Sequence, residues 1–414
     1  MVNIEQTTLS NGLRVVIQPD STLPLVGVSL IYDVGSRVEK PGSSGMAHLV
    51  EHLMFQGSEH VAPGEFVHRI QGWGGAVNGM TGAERTTYYH SLPSHQFALG
   101  LWMDADRMRG VGFDEAAFER QRATVLDERL ERINNSPYGE ALVRIGELSY
   151  DDFGYGHPVI GYRDDVACAQ SDDARQFHAQ WYAPSNAVLA MVGDVEPDEA
   201  IDAVHTCFGA VPRADTPTRP SFSEARRMVP TRESLRAPLA SAPALFVNHP
   251  AVPYGDPDFY VYEVIEALLF RGPSSRLNQR MVMEERCAIK VQGGYEAHRG
   301  PSLFSFFGMM PEGGDPDRLA ALYADELERL VKQPVSEDEL ERVHNRVRAG
   351  RLFGRQSIVH RANALGRSLL YHSDALWEER YVERILRVGP EAIQRVAARD
   401  FDPNASVTLE VVPA

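Results

Sequence analysis

Two stretches of this 414-residue chain are near copies of each other. HLVEHLMFQG at 48–57 lies over EVIEALLFRG at 263–272 at an offset of 215, so that Glu51, Leu53, Phe55 and Gly57 recur as Glu266, Leu268, Phe270 and Gly272. FERQR at 118–122 echoes LERVH at 340–344, and APSNAVLAMV at 183–192 echoes DPNASVTLEV at 402–411, at offsets of 222 and about 219. Three matches in order at nearly constant spacing point to a duplicated unit of about 200 residues. A chain built this way has to fold as two similar halves, each burying its own core.

Local patterns fill in the halves. TTLSNGLRVVIQPD reads as two extended runs joined at Asn11-Gly12, a strong hairpin signal. PLVGVSLIYDVGSRVE alternates as a half-buried strand does, MAHLVEHLMFQG has helical periodicity ended by Gly57, and NAVLAMVGDV at 186–195 is a buried strand. Residues 114–134 form a charged helix whose Phe118, Val125 and Leu126 supply an apolar stripe. Strands and helices interleave without regular βαβ spacing, which predicts an α+β fold. Each half is expected to be a mostly antiparallel sheet with helices packed on it. Pro212, Pro217, Pro220, Pro230, Pro238 and Pro243 fall in a stretch with few large apolar residues, as in an extended connector. The expected boundaries are a first domain at 1–215, a connector at 216–240 and a homologous domain at 241–414.

Charge and cysteine content narrow the partners. Lys plus Arg number 41 against 57 Asp plus Glu, a net charge of −16 that repels phosphate backbones, so nucleic acid is not an expected partner. No window reaches the length of uninterrupted apolar residues that a membrane helix needs. Glu5, Arg14 and Asp20 stand where a secretory leader would be apolar. Cys168, Cys207 and Cys287 make no C-x-x-C pair. A cytoplasmic location is expected, or a periplasmic one if a leader has been removed.

The chemistry concentrates at His48-x-x-Glu51-His52. Two histidines four apart on a helix differ by about 40° in direction, so both imidazoles can converge on one ion. Glu51 lies on the other flank of His48, within reach of a water beside that ion and placed to take and pass on its proton. With 14 histidines in 414 residues, the pattern is expected by chance on the order of a few hundredths of a time. His60 and His90 carry no such context and read as ordinary structural histidines. In the second copy His48 becomes Glu263 and His52 becomes Ala267, so one half alone holds the site. A catalytic zinc needs a third protein ligand, and the helix at 114–134 offers both Asp127 and Glu128.

The H-x-x-E-H order is the inverzincin signature. With GSRVEKPGSSGMAHLVEHLMFQGS, GGAVNGMTGAERTTYY, FERQRATVLDERL and WYAPSNAVLAMVGDV, it makes the whole chain resemble the pitrilysin/insulinase family of zinc metallopeptidases. The likeness is to short, two-domain bacterial members akin to the mitochondrial processing peptidases. It implies one Zn2+ per chain held by His48, His52 and Glu128, the last in the V-x-x-E context of Val125-Leu126-Asp127-Glu128, with Glu51 as the catalytic base. It also implies that Gly75, Ala76, Val77, Asn78, Gly79 and Thr81, in a G-G-x-x-N-x-x-T strand, take up an extended peptide by strand addition.

Two departures from the family pattern stand out. Gln121 replaces a glutamate that supports the ligand histidines, which removes a negative charge near the metal. After Ser275-Arg276-Leu277, Val282 and Ile289 occupy the places of an Arg and a Tyr that hold substrate backbone; Arg280 or Arg286 could substitute for the former. The resemblance therefore implies a peptidase subunit whose Arg/Tyr clamp comes from a homologous partner, a heterodimer enclosing a chamber. A self-sufficient homodimeric peptidase and a non-catalytic scaffold subunit of the same fold are the alternatives.

Overall fold

The computed structural model describes residues 3–215, 218–219, 229–402 and 405–413. Eleven strands are found among them: β1 (Glu5–Thr8), β2 (Arg14–Pro19), β3 (Leu25–Tyr32), β4 (Ala76–Thr81), β5 (Thr86–Pro93), β6 (Ala187–Gly193), β7 (Thr231–Ala237), β8 (Ala244–Ala251), β9 (Lys290–Glu296), β10 (Ser302–Met309) and β11 (Val407–Pro413). The first sheet runs β1-β2-β6-β3-β5-β4 and the second β7-β11-β8-β10-β9. Leaving β1 aside, the two orders are the same. Each has one parallel pair, β2 with β6 and β7 with β11, and is otherwise antiparallel. The duplication read from the sequence is thus a duplication of topology, and the α+β fold with mostly antiparallel sheets is present.

Several elements stand where local spacing foretold them, but β3 is buried on both faces rather than half-buried, and the helix read in MAHLVEHLMFQG ends at Leu53, short of Gly57. The Asn11-Gly12 hairpin joins β1 to β2, with Gly12 N–H bonded to Leu9 O and Asn11 tied to Phe208 O and Val211 O. β6 is buried along its whole length, as a continuous apolar run at the centre of a sheet should be. The expected helix at 114–134 is α2 (Glu115–Arg129), followed by a π-helical turn at Leu130–Asn134.

The connector expected at 216–240 needs correction in its second part. Residues 216–217 and 220–228 lie outside the described residues, but β7 occupies 231–237 and is the counterpart of β2. Its sequence TRESLRA exposes alternate residues, because β7 is an edge strand and needs apolar groups on one face only. That polar face hid the strand in the sequence.

The compact units also differ from contiguous halves. One comprises residues 1–128, 157–220 and 352–379; the other comprises 129–156, 221–351 and 380–414. Each sheet is covered by a helix from the opposite half of the sequence. α3 (Gly139–Ser149) places Ala141 and Ile145 against Phe246, Val407, Leu409 and Val411. The later helix at Ile358–His372 packs Ala362, Leu365 and Leu369 onto Ile31, Val188 and Ala190. Burying these apolar side chains is the dominant stabilising term for both units. Among the described residues no helix is long and apolar enough to cross a membrane.

Candidate active site

The site is built on α1 (Met46–Leu53), which carries His48, Glu51 and His52. Its i, i+4 histidines stand with ring centroids 4.8 Å apart and planes at 70°. α2 brings Glu128 to them: His52 Nε2 lies 3.3 Å and His48 Nε2 3.8 Å from Glu128 Oε2. One ligand atom from each of the three falls within 4.8 Å of the others, the one group of this kind found among the described residues. Tetrahedral zinc with bonds of about 2.0–2.1 Å separates its ligand atoms by about 3.3 Å; the His52–Glu128 spacing matches this, and the wider spacings, up to 4.8 Å, have to contract around an ion. Two histidines and one carboxylate leave a fourth position for water or substrate. The three side chains are between 10% and 22% exposed, so that position can be reached from solvent.

Glu51, on the same helix, is buried, 9% exposed, and close enough to His52 and Glu128 to feel the charge of both. Burial pushes its carboxyl above the ordinary glutamate range, opposed by the hydrogen bond from Thr81 and by the nearby His52. Thr81 Oγ1 donates to Glu51 Oε2 at 2.5 Å, and a Cβ added at Gly79 would lie 2.9 Å from Glu51 Oε1. Both residues belong to β4, which pairs with β5 on one side and forms the sheet edge on the other. Along β4 the exposed residues Ala76, Asn78 and Met80 alternate with the half-buried Val77, Gly79 and Thr81. Asn78 Oδ1 accepts the Gly79 N–H.

Two family models match the chain: "Insulinase (Peptidase family M16)" over residues 14–151 and "Peptidase M16 inactive domain" over residues 169–347. The chain is 27% identical over 419 aligned positions to zinc protease PqqE of Helicobacter pylori, covering 99% of this chain and 93% of that protein. It is 24% identical over 396 positions to the mitochondrial-processing peptidase subunit beta of Blastocladiella emersonii, covering 94% and 84%. The crystal structure of a protease from Helicobacter pylori superposes with a TM-score of 0.94 at 25% identity, covering both chains completely. The chain belongs to peptidase family M16, the pitrilysin/insulinase type.

The stretch matched by the insulinase model spans His48, Glu51, His52 and Glu128, and the stretch matched by the inactive-domain model spans none of them. The second unit has other residues at the positions that correspond to His48 and His52. On α4 (Phe259–Leu269), Glu263 and Ala267 stand at the positions of the histidines. Arg271 lies 3.1 Å from Glu263 and 2.8 Å from Glu266, and Tyr381 Oη donates to Glu263 at 2.6 Å. The chain thus supplies its own cation between these carboxylates. A Cβ added at Gly294, the position at the Gly79 offset, would lie 3.0 Å from Glu266 Cδ, much as one at Gly79 would crowd Glu51.

The remaining expectations sort by geometry. Asp127 is exposed, and Glu128, its neighbour on α2, is the residue that faces the histidines. Gln121 lies two turns before Glu128 on α2 and is half-buried. His60 bonds Asp106 at 2.8 Å, and His90 bonds the buried Asp104 at 2.8 Å, both structural pairings. Val282 is half-buried and Ile289 is 53% exposed. Arg280 is engaged by Asp325 and Glu326, and Arg276 by Glu339 and Glu326, so these two arginines are already committed to local carboxylates. Arg286 has a positive φ of 49° at the end of its helical segment. Sequence reasoning missed the Thr81 bond to Glu51, because a side chain's partner across a sheet leaves no trace in local spacing.

Proposed function

We propose that this chain is a zinc-dependent endopeptidase subunit that hydrolyses unfolded peptides, with a homologous partner supplying the Arg/Tyr clamp. The observation that carries the reading is the convergence of His48, His52 and Glu128 within 4.8 Å, with Glu51 alongside. Zinc bound there would supply Lewis acidity and lower the pKa of a coordinated water toward about 7. The chain's own residues do the rest. Glu51, held by Thr81, accepts the water's proton and returns it to the departing amine. The edge of β4 offers main-chain donors and acceptors to an extended peptide, through the segment that includes Gly75, Ala76, Val77, Asn78, Gly79 and Thr81, which makes binding tolerant of sequence. Gln121 contributes a neutral amide where a charge would strengthen the metal's hold.

The partner is inferred from Val282 and Ile289, apolar where a clamp needs a guanidinium and a phenol, and from the engagement of Arg276 and Arg280 elsewhere. The same two residues favour a second reading, a non-catalytic scaffold subunit. The test is hydrolysis of an unstructured peptide by this chain with and without the co-purified partner, using wild type and Glu51→Gln. Activity that requires the partner and is lost in Glu51→Gln supports the proposal. Activity that survives Glu51→Gln removes the mechanism, and absence of activity with a zinc-loaded pair supports the scaffold.

A further inference from the structure

Glu39 is a buried carboxylate outside the metal cluster, its side chain only 1% exposed. Its Oε1 accepts the Ala47 N–H at 2.7 Å and its Oε2 accepts the Gly45 N–H at 2.8 Å. His157 Nε2, fully buried, lies 2.7 Å from the same Oε2. We propose that Glu39, paired with His157, is a positioning residue for the metal-binding helix, fixing the first turn of α1 and through it the direction of His48. This deepens the reading of His48, His52 and Glu128 as a zinc site and rests on it.

The first N–H groups of a helix have no acceptor within the helix, and its N-terminus favours negative charge. α1 begins after Gly45, at φ +86°, and has no capping hydrogen bond from its own N-cap side chain. The carboxylate that does this work comes instead from Glu39. Its segment is anchored at both ends. On one side Ser36 N–H bonds Gly82 O at 3.1 Å and Arg37 N–H bonds Ala83 O at 2.8 Å, just past Thr81. On the other, Gly45 crosses Gly161 backbone to backbone, a Cβ on Gly161 falling 2.6 Å from Gly45 Cα. Ser44 Oγ donates to Asp165 Oδ2 at 2.6 Å and accepts the Tyr162 N–H at 2.9 Å, locking that crossing. The segment that ends at Glu39 therefore joins the loop just after β4, whose Thr81 bonds Glu51, to the turn that precedes His48. A tilt of that turn moves His48, which follows Ala47 directly, more than His52 one turn further on.

The test compares wild type, Glu39→Gln and His157→Gln by zinc affinity from chelator competition, by the visible absorption of the cobalt(II)-loaded proteins, and by urea midpoints of the metal-free proteins. Glutamine keeps the shape but turns an amide NH2, a donor, toward one of the two N–H groups. The expected result is zinc affinity about 10- to 100-fold weaker in Glu39→Gln, with an altered cobalt spectrum and a metal-free midpoint close to wild type. His157→Gln shifts the same way by less, and carries the test if Glu39→Gln does not fold. Unchanged affinity and spectrum in the folded variants overturn the proposal, as does a loss of metal-free stability large enough to match the loss of affinity. A wild type that takes up no zinc overturns the zinc reading itself, and this inference with it.

Discussion

Replacing Thr81 by valine removes the hydroxyl that donates to Glu51, together with a longer 3.4 Å contact to the Thr86 hydroxyl. Valine keeps the branched shape on β4, and the neighbouring Thr86 hydroxyl keeps its own bond to Val34 O at 2.9 Å. The lost bond is the 2.5 Å contact to Glu51 Oε2, made to a carboxylate that is 9% exposed and has little access to water as a substitute donor. A hydrogen bond to a charged group contributes about 1.5–3 kcal/mol. If that energy orients Glu51 for proton transfer, its loss corresponds to a fall of about 10- to 150-fold in rate. The assay is steady-state hydrolysis of an unstructured peptide by the assembled enzyme, with kcat and KM determined separately. Thr81→Val should lower kcat with little change in KM, and Thr81→Ser, which keeps the hydroxyl, should recover most of the rate. A raised KM with kcat intact would place Thr81 on the substrate instead, and kcat within twofold of wild type would refute the argument.

Two further perturbations follow from close packing and from burial. Gly79→Ala puts a methyl 2.9 Å from Glu51 Oε1 and 3.2 Å from the Phe55 ring, so it should reduce kcat while far-ultraviolet circular dichroism stays unchanged; full activity would contradict the crowding. His249 is 2% exposed among Tyr323 and Phe401, and burial pushes its pKa down to about 4. The folded form keeps it neutral while the unfolded chain protonates below about 6.5, so stability is lost as pH falls from 6.5 toward 4, by up to about 3 kcal/mol. His249→Leu should therefore flatten the decline of the urea midpoint between pH 7 and 4.5, and an undiminished decline would assign acid sensitivity elsewhere.

How far the sequence could be read depended on how local each feature is. The H-x-x-E-H turn sits within one helix, so spacing alone placed His48, Glu51 and His52 together. Glu128 is a different case: spacing left it level with Asp127, and the V-x-x-E context of the family resemblance favoured it. In the structure the two adjacent residues point to different environments on α2, one toward the histidines and one toward solvent. The repeat gave the shared topology because each copy preserved its apolar periodicity. It could not reveal that residues 129–156 and 352–379 join the opposite units, since that exchange is decided by packing of Ile145 on one sheet and Leu365 on the other. β7 escaped notice because one of its faces is polar. Thr81 and Glu39 stood in the quoted motifs, but their roles are set by partners 30 and 8 residues away in the chain.

The most direct test is anomalous diffraction at the zinc edge from crystals of the zinc-loaded protein. A single peak bonded to His48 Nε2, His52 Nε2 and Glu128, and absent in crystals of His52→Ala, is the predicted result. A peak elsewhere, or none between α1 and α2 at full zinc occupancy in solution, would contradict the site on which the proposed chemistry depends.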